Sequence, residues 1–259
     1  MKTVSIMTPS HNCSGFISET IHSVLSQTFT NWEMVIVDDC STDNSVEVIQ
    51  SFVEQDSRIK LIQLSENSGA AVARNTAIEA AQSRYIAFLD SDDLWVPEKL
   101  EKQLAFMKEK NCPFSFSAYE KINEVSELMG QVGVPSRVTY HTLLKTCVIG
   151  CLTSIYDTSY FGKVDMPLIR KRQDFGLWLK LLKRVDFACG INEPLAQYRV
   201  HENSISANKV SVAVYTWRLY RDVERLNLFK ASYYFAHYAI RGILRTKTPK
   251  LARLLGIMS

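Results

Sequence analysis

Four short strand-forming runs, at residues 4–8, 32–37, 59–64 and 85–89, recur at regular intervals, and each is followed by a segment of helical periodicity. Ile17, Ile21, Val24 and Leu25 share one helical face after Ser14 and Gly15. Val46, Ile49 and Val53 share another, with Asn44 placed to cap it. Ser68 and Gly69 open a third helix reaching about Ala81, and Leu100, Leu104 and Met107 mark a fourth beyond Pro97. Strand alternating with helix at this spacing predicts an α/β fold of right-handed βαβ units, with a mostly parallel sheet flanked by helices on both faces. Residues 114–119 read as a further strand and 130–136 as a loop. A helix is expected over 175–184 and a strand over 187–191.

Sheets of this kind bind ligands outside the carboxyl ends of their strands. The polar clusters of this chain fall there: His11 and Asn12 after the first run, Asp38 and Asp39 after the second, and Asp90, Asp92 and Asp93 after the fourth. Three carboxylates within four positions repel one another unless a cation neutralises them. Hard oxygen ligands suit Mg²⁺ or Mn²⁺, ions that bridge protein carboxylates to substrate phosphates. The pattern therefore predicts a metal–diphosphate site. Asp93 has a simpler reading, as the cap of a helix starting at Val96 or Pro97.

With 259 residues, 46% of them hydrophobic, the chain can bury a full core as one large domain or as a domain with an appendage. Its six cysteines form no C-x-x-C pair and no dense framework, so reduced thiols are the expectation. The amino-terminal apolar run is broken by Pro9, too short for a secretory signal, and no apolar stretch approaches the roughly 20 residues of a membrane span. Together these features predict a soluble, cytoplasmic protein. Charge is unevenly spread: from Ala207 onward ten basic residues face two acidic ones, a net +8, which leaves −5 for the rest of a chain totalling +3. Tyr215, Trp217, Tyr220, Tyr233, Tyr234, Phe235 and Tyr238 are interleaved with those basic residues. That composition suits a membrane interface, a single-stranded nucleic acid, or a helix packed on the body with a solvated basic face.

With these clusters in place, the chain resembles the inverting glycosyltransferases of family 2, which have the GT-A fold, use nucleotide-diphosphate sugars and include enzymes of bacterial surface-polysaccharide assembly. The resemblance runs from residue 4 to about 206. It is carried by TPSHN (8–12), VDDCSTD (37–43), NSGAAVARN (67–75), FLDSDDLW (88–95), QDFGLWLKL (173–181) and YRVHENSIS (198–206), in that order. It implies that Pro9, His11 and Asn12 form the nucleotide-binding loop, with His11 where the family often has a tyrosine stacked on the base. Asp39 matches the carboxylate that accepts the uracil imide N–H. Arg74 matches a contact to base or ribose, and Asp90 leans toward the ribose or an outer-shell water. Asp92 matches the direct ligand of Mn²⁺ or Mg²⁺, with His201 as a second ligand or a phosphate contact. Arg199 offers its planar fork to the diphosphate. Asp174 is implied as the catalytic base, beside Gln173 where the family commonly has glutamate. Ser204 and Ser206 match possible hydroxyl donors. Arg170, Lys171 and Arg172 suit an acceptor phosphate, a lipid headgroup or a solvated basic turn.

The expected organisation is a GT-A catalytic domain over residues 1–206, with a nucleotide-sugar-binding half at 1–112 and an acceptor-binding half at 113–206. A basic, aromatic, amphipathic helical extension follows at 207–259. The expected reaction moves a hexose, glucose or galactose, from a UDP-sugar to a lipid-diphosphate-linked saccharide and forms a β-linkage. The extension is expected on the cytoplasmic face of the inner membrane, making the protein peripheral, with no nucleic-acid partner. A sugar-phosphate nucleotidyltransferase is a rival, but residues 8–13 lack its glycine-rich basic loop. A catalytically silent saccharide- or membrane-binding module is another, opposed by the intact Asp92 and Asp174. No G-x-G-x-x-G follows any strand, which disfavours a dinucleotide oxidoreductase.

Overall fold

The strands β1 (Val4–Ser10) and β2 (Trp32–Asp38) are buried along their whole length, the signature of a sheet covered on both faces. A computed structural model describes residues 2–201 and 209–247. Between and after these strands come α1 (Ile17–Leu25), α2 (Ser45–Gln55), β3 (Ile59–Gln63), α3 (Ala70–Ala80) and β4 (Tyr85–Phe88). The chain continues through β5 (Leu94–Trp95), α4 (Lys99–Glu109), β6 (Phe114–Ile122), β7 (Leu128–Val132), β8 (Arg137–Val138) and α5 (Tyr140–Lys145). A 3₁₀ turn at Cys151–Thr153 precedes β9 (Ile155–Asp157), α6 (Thr158–Phe161), α7 (Gln173–Leu182) and β10 (Ala188–Arg199). The last elements are α8 (Lys209–Arg218), a π-helical turn at Leu219–Val223 and α9 (Leu228–Lys247).

The ten strands form one sheet in the order β3-β2-β1-β4-β9-β6-β10-β5, with β7 on β6 and β8 on β10. Side chains alternate between two cores as the pleat requires. Ile6, Met34 and Ile36 face α1, α2 and α4, where Ile21, Ile49 and Leu100 meet them. Met7, Val35 and Val37 face the other layer, with Ala77 of α3 and Phe175 and Trp178 of α7. The order steps outward from β1 in both directions, through β2 to one edge and β4 to the other. That switch opens a crevice at the strand ends.

Several expectations are corrected. β3, β2, β1 and β4 are parallel, but β9 enters antiparallel between β4 and β6, so the sheet is mixed. Part of the expected loop at 130–136 lies in β7, whose exposed residues carry no apolar alternation and take strand geometry from pairing with β6. β10 runs on to Arg199 because register shifts on either side of Pro194 absorb a residue that would otherwise end the ladder. Asn44 precedes α2 without a capping side-chain bond; Asp43 instead accepts the Ser45 N–H at 3.0 Å. Cys112 and Cys189, expected as free thiols, are disulfide-bonded with Cα atoms 6.5 Å apart, while Cys13, Cys40, Cys147 and Cys151 are in no disulfide among the described residues.

The described part of the extension packs on the body. Leu219, Tyr220 and Ala231 are fully buried against the α7 layer. Lys183, which follows α7, pairs with Glu224 at 2.7 Å, and Tyr220 donates its hydroxyl to the Leu144 carbonyl. Residues 248–259 lie outside the described residues, as do Ser204 and Ser206. Among the described residues, no helix is long and apolar enough to cross a membrane.

Candidate active site

A cleft of about 680 Å³ opens where β1, β2 and β4 end. Pro9, His11, Asn12, Asp39, Arg74, Asp90, Asp92, Asp174 and His201 all line it. Arg199 does not, and its position requires a different role.

The loops after β1 and β2 are knitted together. Asn12 sits in the left-handed region and accepts the Thr42 N–H at 2.8 Å through its side-chain oxygen. His11 Nδ1 lies 2.9 Å from the Asp39 carbonyl oxygen, leaving the ring half turned to the cleft. The Asp39 carboxylate accepts the N–H groups of Ser68 and Gly69 at 2.7 and 2.8 Å, one on each oxygen. Gly69, with φ of +89°, supplies a backbone turn that side chains rarely adopt. Asp39 is thereby held rigid at the entry to α3, and each of its oxygens keeps a further lone pair.

Arg74 projects from α3 to meet Asp90 at 2.5 Å. Burial works against its charge, but Asp90 more than compensates and raises its pKa above the ordinary arginine value. Its Nε is buried and has no partner among the described residues, so one donor remains available. Two residues on, the Asp92 carboxylate lies 2.8 Å from His201 Nε2. Burial first, and then the Asp90 charge, raise the Asp92 pKa. Phe16 stacks on the His201 ring at 5.8 Å between centroids and limits its rotation.

This donor set fits a small divalent cation. A carboxylate oxygen and an imidazole nitrogen lie 2.8 Å apart at this corner, and positive charge there would offset both the burial and the Asp90 charge that raise the Asp92 pKa. Among the described residues, no three His, Cys, Asp or Glu side chains gather to hold an ion alone. Asp92 and His201 would hold such an ion only together with phosphate oxygens and water, the usual company of Mg²⁺.

Arg199 is a clamp behind this corner. It is fully buried, and its guanidinium donates to the Asp92 carbonyl at 2.8 Å, the Asn123 and Glu124 carbonyls, Ser126 and the Glu19 carboxylate. The expectation of a phosphate contact is corrected: Arg199 is not in the cleft lining, and its guanidinium donates to carbonyls in the loops after β4 and β6, to Ser126 and to Glu19. Asp93 is corrected as well. It caps no helix; its carboxylate accepts the Arg199 N–H at 2.9 Å, and burial followed by the charges of Asp92 and Asp90 pushes its pKa well up.

Asp174 stands in the first turn of α7, where the helix dipole favours a negative group. Arg172, at the N-cap, is left-handed with φ of +69°. Lys171 and Arg172 line the cleft beside it. The turn at Cys151–Thr153 contributes Cys151 and Leu152 to the lining, and Tyr119 and Tyr198 contribute ring surface. Sequence reading missed these four; they lie in the loosely patterned stretch or on strands whose partners only the sheet reveals.

An α/β sheet with an acidic corner at the strand ends, a held loop after β1 and a carboxylate on the adjoining helix has the architecture of the GT-A fold. Residues 5–161 match the model of glycosyl transferase family 2, and the chain belongs to that family. It is 50% identical over 241 residues to TuaG of Bacillus subtilis, a glycosyltransferase assigned to teichuronic acid biosynthesis, covering 93% of this chain and 96% of that one. It is 41% identical over 243 residues to WfgD of Escherichia coli, a UDP-Glc:α-D-GlcNAc-diphosphoundecaprenol β-1,3-glucosyltransferase, with 93% of each chain covered. In fold it resembles S. aureus TarS in complex with UDP, with TM-score 0.69, 22% identity, and coverage of 95% of this chain and 74% of that one. It also resembles a Pyrobaculum calidifontis mannosyltransferase in complex with GDP-Man and Mn²⁺, with TM-score 0.63, 15% identity, and 98% and 78% coverage.

Proposed function

We propose that this glycosyltransferase transfers a hexose, glucose or galactose, from a UDP-sugar to a saccharide carried on a lipid diphosphate, with inversion to a β-linkage. The observation that carries this reading is the convergence of Asp39, the Asp92–His201 pair and Asp174 on one cleft. In this reading Asp39 accepts the uracil imide N–H on a free lone pair, and His11 lies against the base. Arg74 and Asp90 hold the ribose side of the nucleotide. Asp92 and His201 hold Mn²⁺ or Mg²⁺, which when bound supplies Lewis-acid neutralisation of the leaving diphosphate. Asp174 takes the proton of the acceptor hydroxyl as that oxygen bonds to the anomeric carbon and the bond to the UDP oxygen breaks. The acceptor class is supported by the likeness to WfgD, and the UDP donor by WfgD and the TarS complex. The cleft-lining cations Lys171 and Arg172 suit the acceptor's diphosphate.

The division at residue 206, with nucleotide and acceptor halves meeting near 112, belongs to the same proposal. So does attachment to the cytoplasmic face of the inner membrane, which the exposed side of α9 and the basic charge of the extension support. The test is a panel of UDP-sugars with Mn²⁺ and lipid-diphosphate saccharides, read by mass spectrometry for the wild type and Asp174→Asn. We expect transfer by the wild type and a loss of about 10²–10⁴-fold in kcat for the variant with UDP binding retained. An equal loss of UDP affinity makes Asp174 structural and overturns its assignment.

A further inference from the structure

Away from the cleft, α5 and α9 enclose a groove of about 480 Å³ lined by Tyr140, His141, Leu144, Phe229, Tyr233 and Tyr234, within the roughly 300–1,000 Å³ of small-molecule sites. Its polar atoms are largely consumed within its own walls. Tyr140 gives its hydroxyl to Glu224, and the Tyr234 hydroxyl lies 2.8 Å from His141 Nδ1. What the groove presents is ring faces: His141 stacks on Tyr234, and Tyr233 meets Tyr234 edge-on at 5.2 Å. A saccharide brings hydroxyls that need partners, whereas a hydrocarbon chain needs none, so this lining favours hydrocarbon.

Three further observations narrow the occupant. Phe229, 88% exposed, and Tyr233, Ile240 and Ile243 form one outward apolar stripe along α9, continuous with the groove mouth. Cations rim the groove: Lys230 lines it, Lys145 lies 5.6 Å from the Tyr233 ring, and Lys183 lies 5.6 Å from the Tyr140 ring. The groove also adjoins the cleft. Tyr238, one turn beyond Tyr234 and about 6 Å along the axis at 1.5 Å per residue, accepts a hydrogen bond from Arg172, which lines the cleft. The Arg172 Nε is buried without a partner among the described residues, leaving a donor for a phosphate oxygen.

We infer that the α5–α9 groove binds the first isoprenoid units of the acceptor's polyprenyl chain, while Arg172 receives its diphosphate and so hands the sugar to the cleft. The inference rests on the reading of the acceptor as a lipid-diphosphate saccharide and deepens it. A chain lying in this groove enters from the stripe side, in the plane where α9 meets a bilayer, and needs no withdrawal into water.

The test uses the full-length protein in detergent, where bulk membrane docking plays no part. Kinetics are measured with one saccharide diphosphate on an undecaprenyl chain and on a short water-soluble alkyl chain, for the wild type and for Phe229→Ser and Tyr233→Ser. We expect KM for the undecaprenyl acceptor to rise roughly tenfold or more, as loss of an apolar contact implies, with kcat and the short-chain KM unchanged. Equal changes with both acceptors, or none with the long one, overturn the groove assignment while leaving the transferase reading intact. A second measurement does not depend on turnover: photolabelling with a polyprenyl diphosphate carrying a reactive group in its first isoprene units. Label on α5 and α9 peptides supports the groove; label elsewhere, or label that excess phospholipid removes as readily as excess polyprenyl diphosphate, overturns it. Absence of transfer to any lipid-diphosphate acceptor removes the proposed function separately, and the photolabel still decides what the groove binds.

Discussion

Arg199 is a fully buried charge that lies behind the cleft rather than in its lining. Its guanidinium spans the loop after β4, the turn after β6 and the Glu19 carboxylate on α1, so three segments distant in sequence share one fork. Lysine has a single point charge and cannot reproduce that planar set of donors. Removing the fork leaves buried carbonyls unpaired at about 1–3 kcal/mol each. Arg199→Lys is therefore expected to lower stability by at least about 2 kcal/mol in urea denaturation. In the folded enzyme, UDP affinity is expected to stay close to that of the wild type. A large loss of UDP affinity with unchanged stability would return Arg199 to the phosphate contact expected from its motif. That motif revealed a special arginine; it did not reveal which way the side chain points, because the carbonyls it binds come from unpatterned turns.

Among the elements, α7 sets the position of Asp174, the base of the proposed mechanism. Gly176, two residues after Asp174, lies where an added Cβ would meet Pro167 Cγ at 2.4 Å and Leu219 Cδ1 at 3.2 Å. The helix is thus seated between the segment before it and the π-helical turn after α8, and proline offers little room to yield. Gly176→Ala is expected to cost about 1–3 kcal/mol by overpacking, despite alanine's better helix propensity. Tilting of α7 away from Pro167 is expected to lower kcat as well; a measured gain in Tm would show that the seat is loose. The helix itself was legible in the sequence, expected over 175–184 and found at Gln173–Leu182. Its seat was not, since Pro167 and Leu219 come from segments with no periodic relation to it. The strands β5, β7 and β8 escaped for a related reason: two are only two residues long and the third is exposed.

The molecule as a whole depends on carboxylates that tie its segments together, and these set its response to acid. Burial tends to raise the Asp43 pKa, but hydrogen bonds from Ser45 and Ser14 outweigh it and hold the pKa at about 2, against an ordinary 3.8. Glu33, Asp56 and Asp157 are shifted in the same direction, Glu33 by Lys60, Ser5 and Gln82 against its burial. For a depressed carboxylate the contribution is complete above the unfolded pKa near 4 and is lost as pH falls through the folded value. Thermal unfolding is expected to show Tm falling steeply between about pH 4 and pH 2, with Asp43→Asn giving a shallower fall over that range. An equally steep fall in the variant would assign the acid limb to other groups.

Alternating strand and helix signals, the acidic corner and the placement of polar clusters at strand ends could all be read from the chain, because backbone periodicity and the edge rule for α/β sheets act over a few residues. They gave the fold class and a metal–diphosphate corner, while the family came from the resemblance carried by six short motifs. The tertiary structure alone decided that Arg199 clamps and Asp93 receives its N–H, that Cys112 meets Cys189, that β9 enters antiparallel and that α9 folds against α5. Each of these depends on partners tens to nearly two hundred residues apart, joined only when two hydrophobic layers close on the sheet and bring unrelated segments within hydrogen-bonding distance.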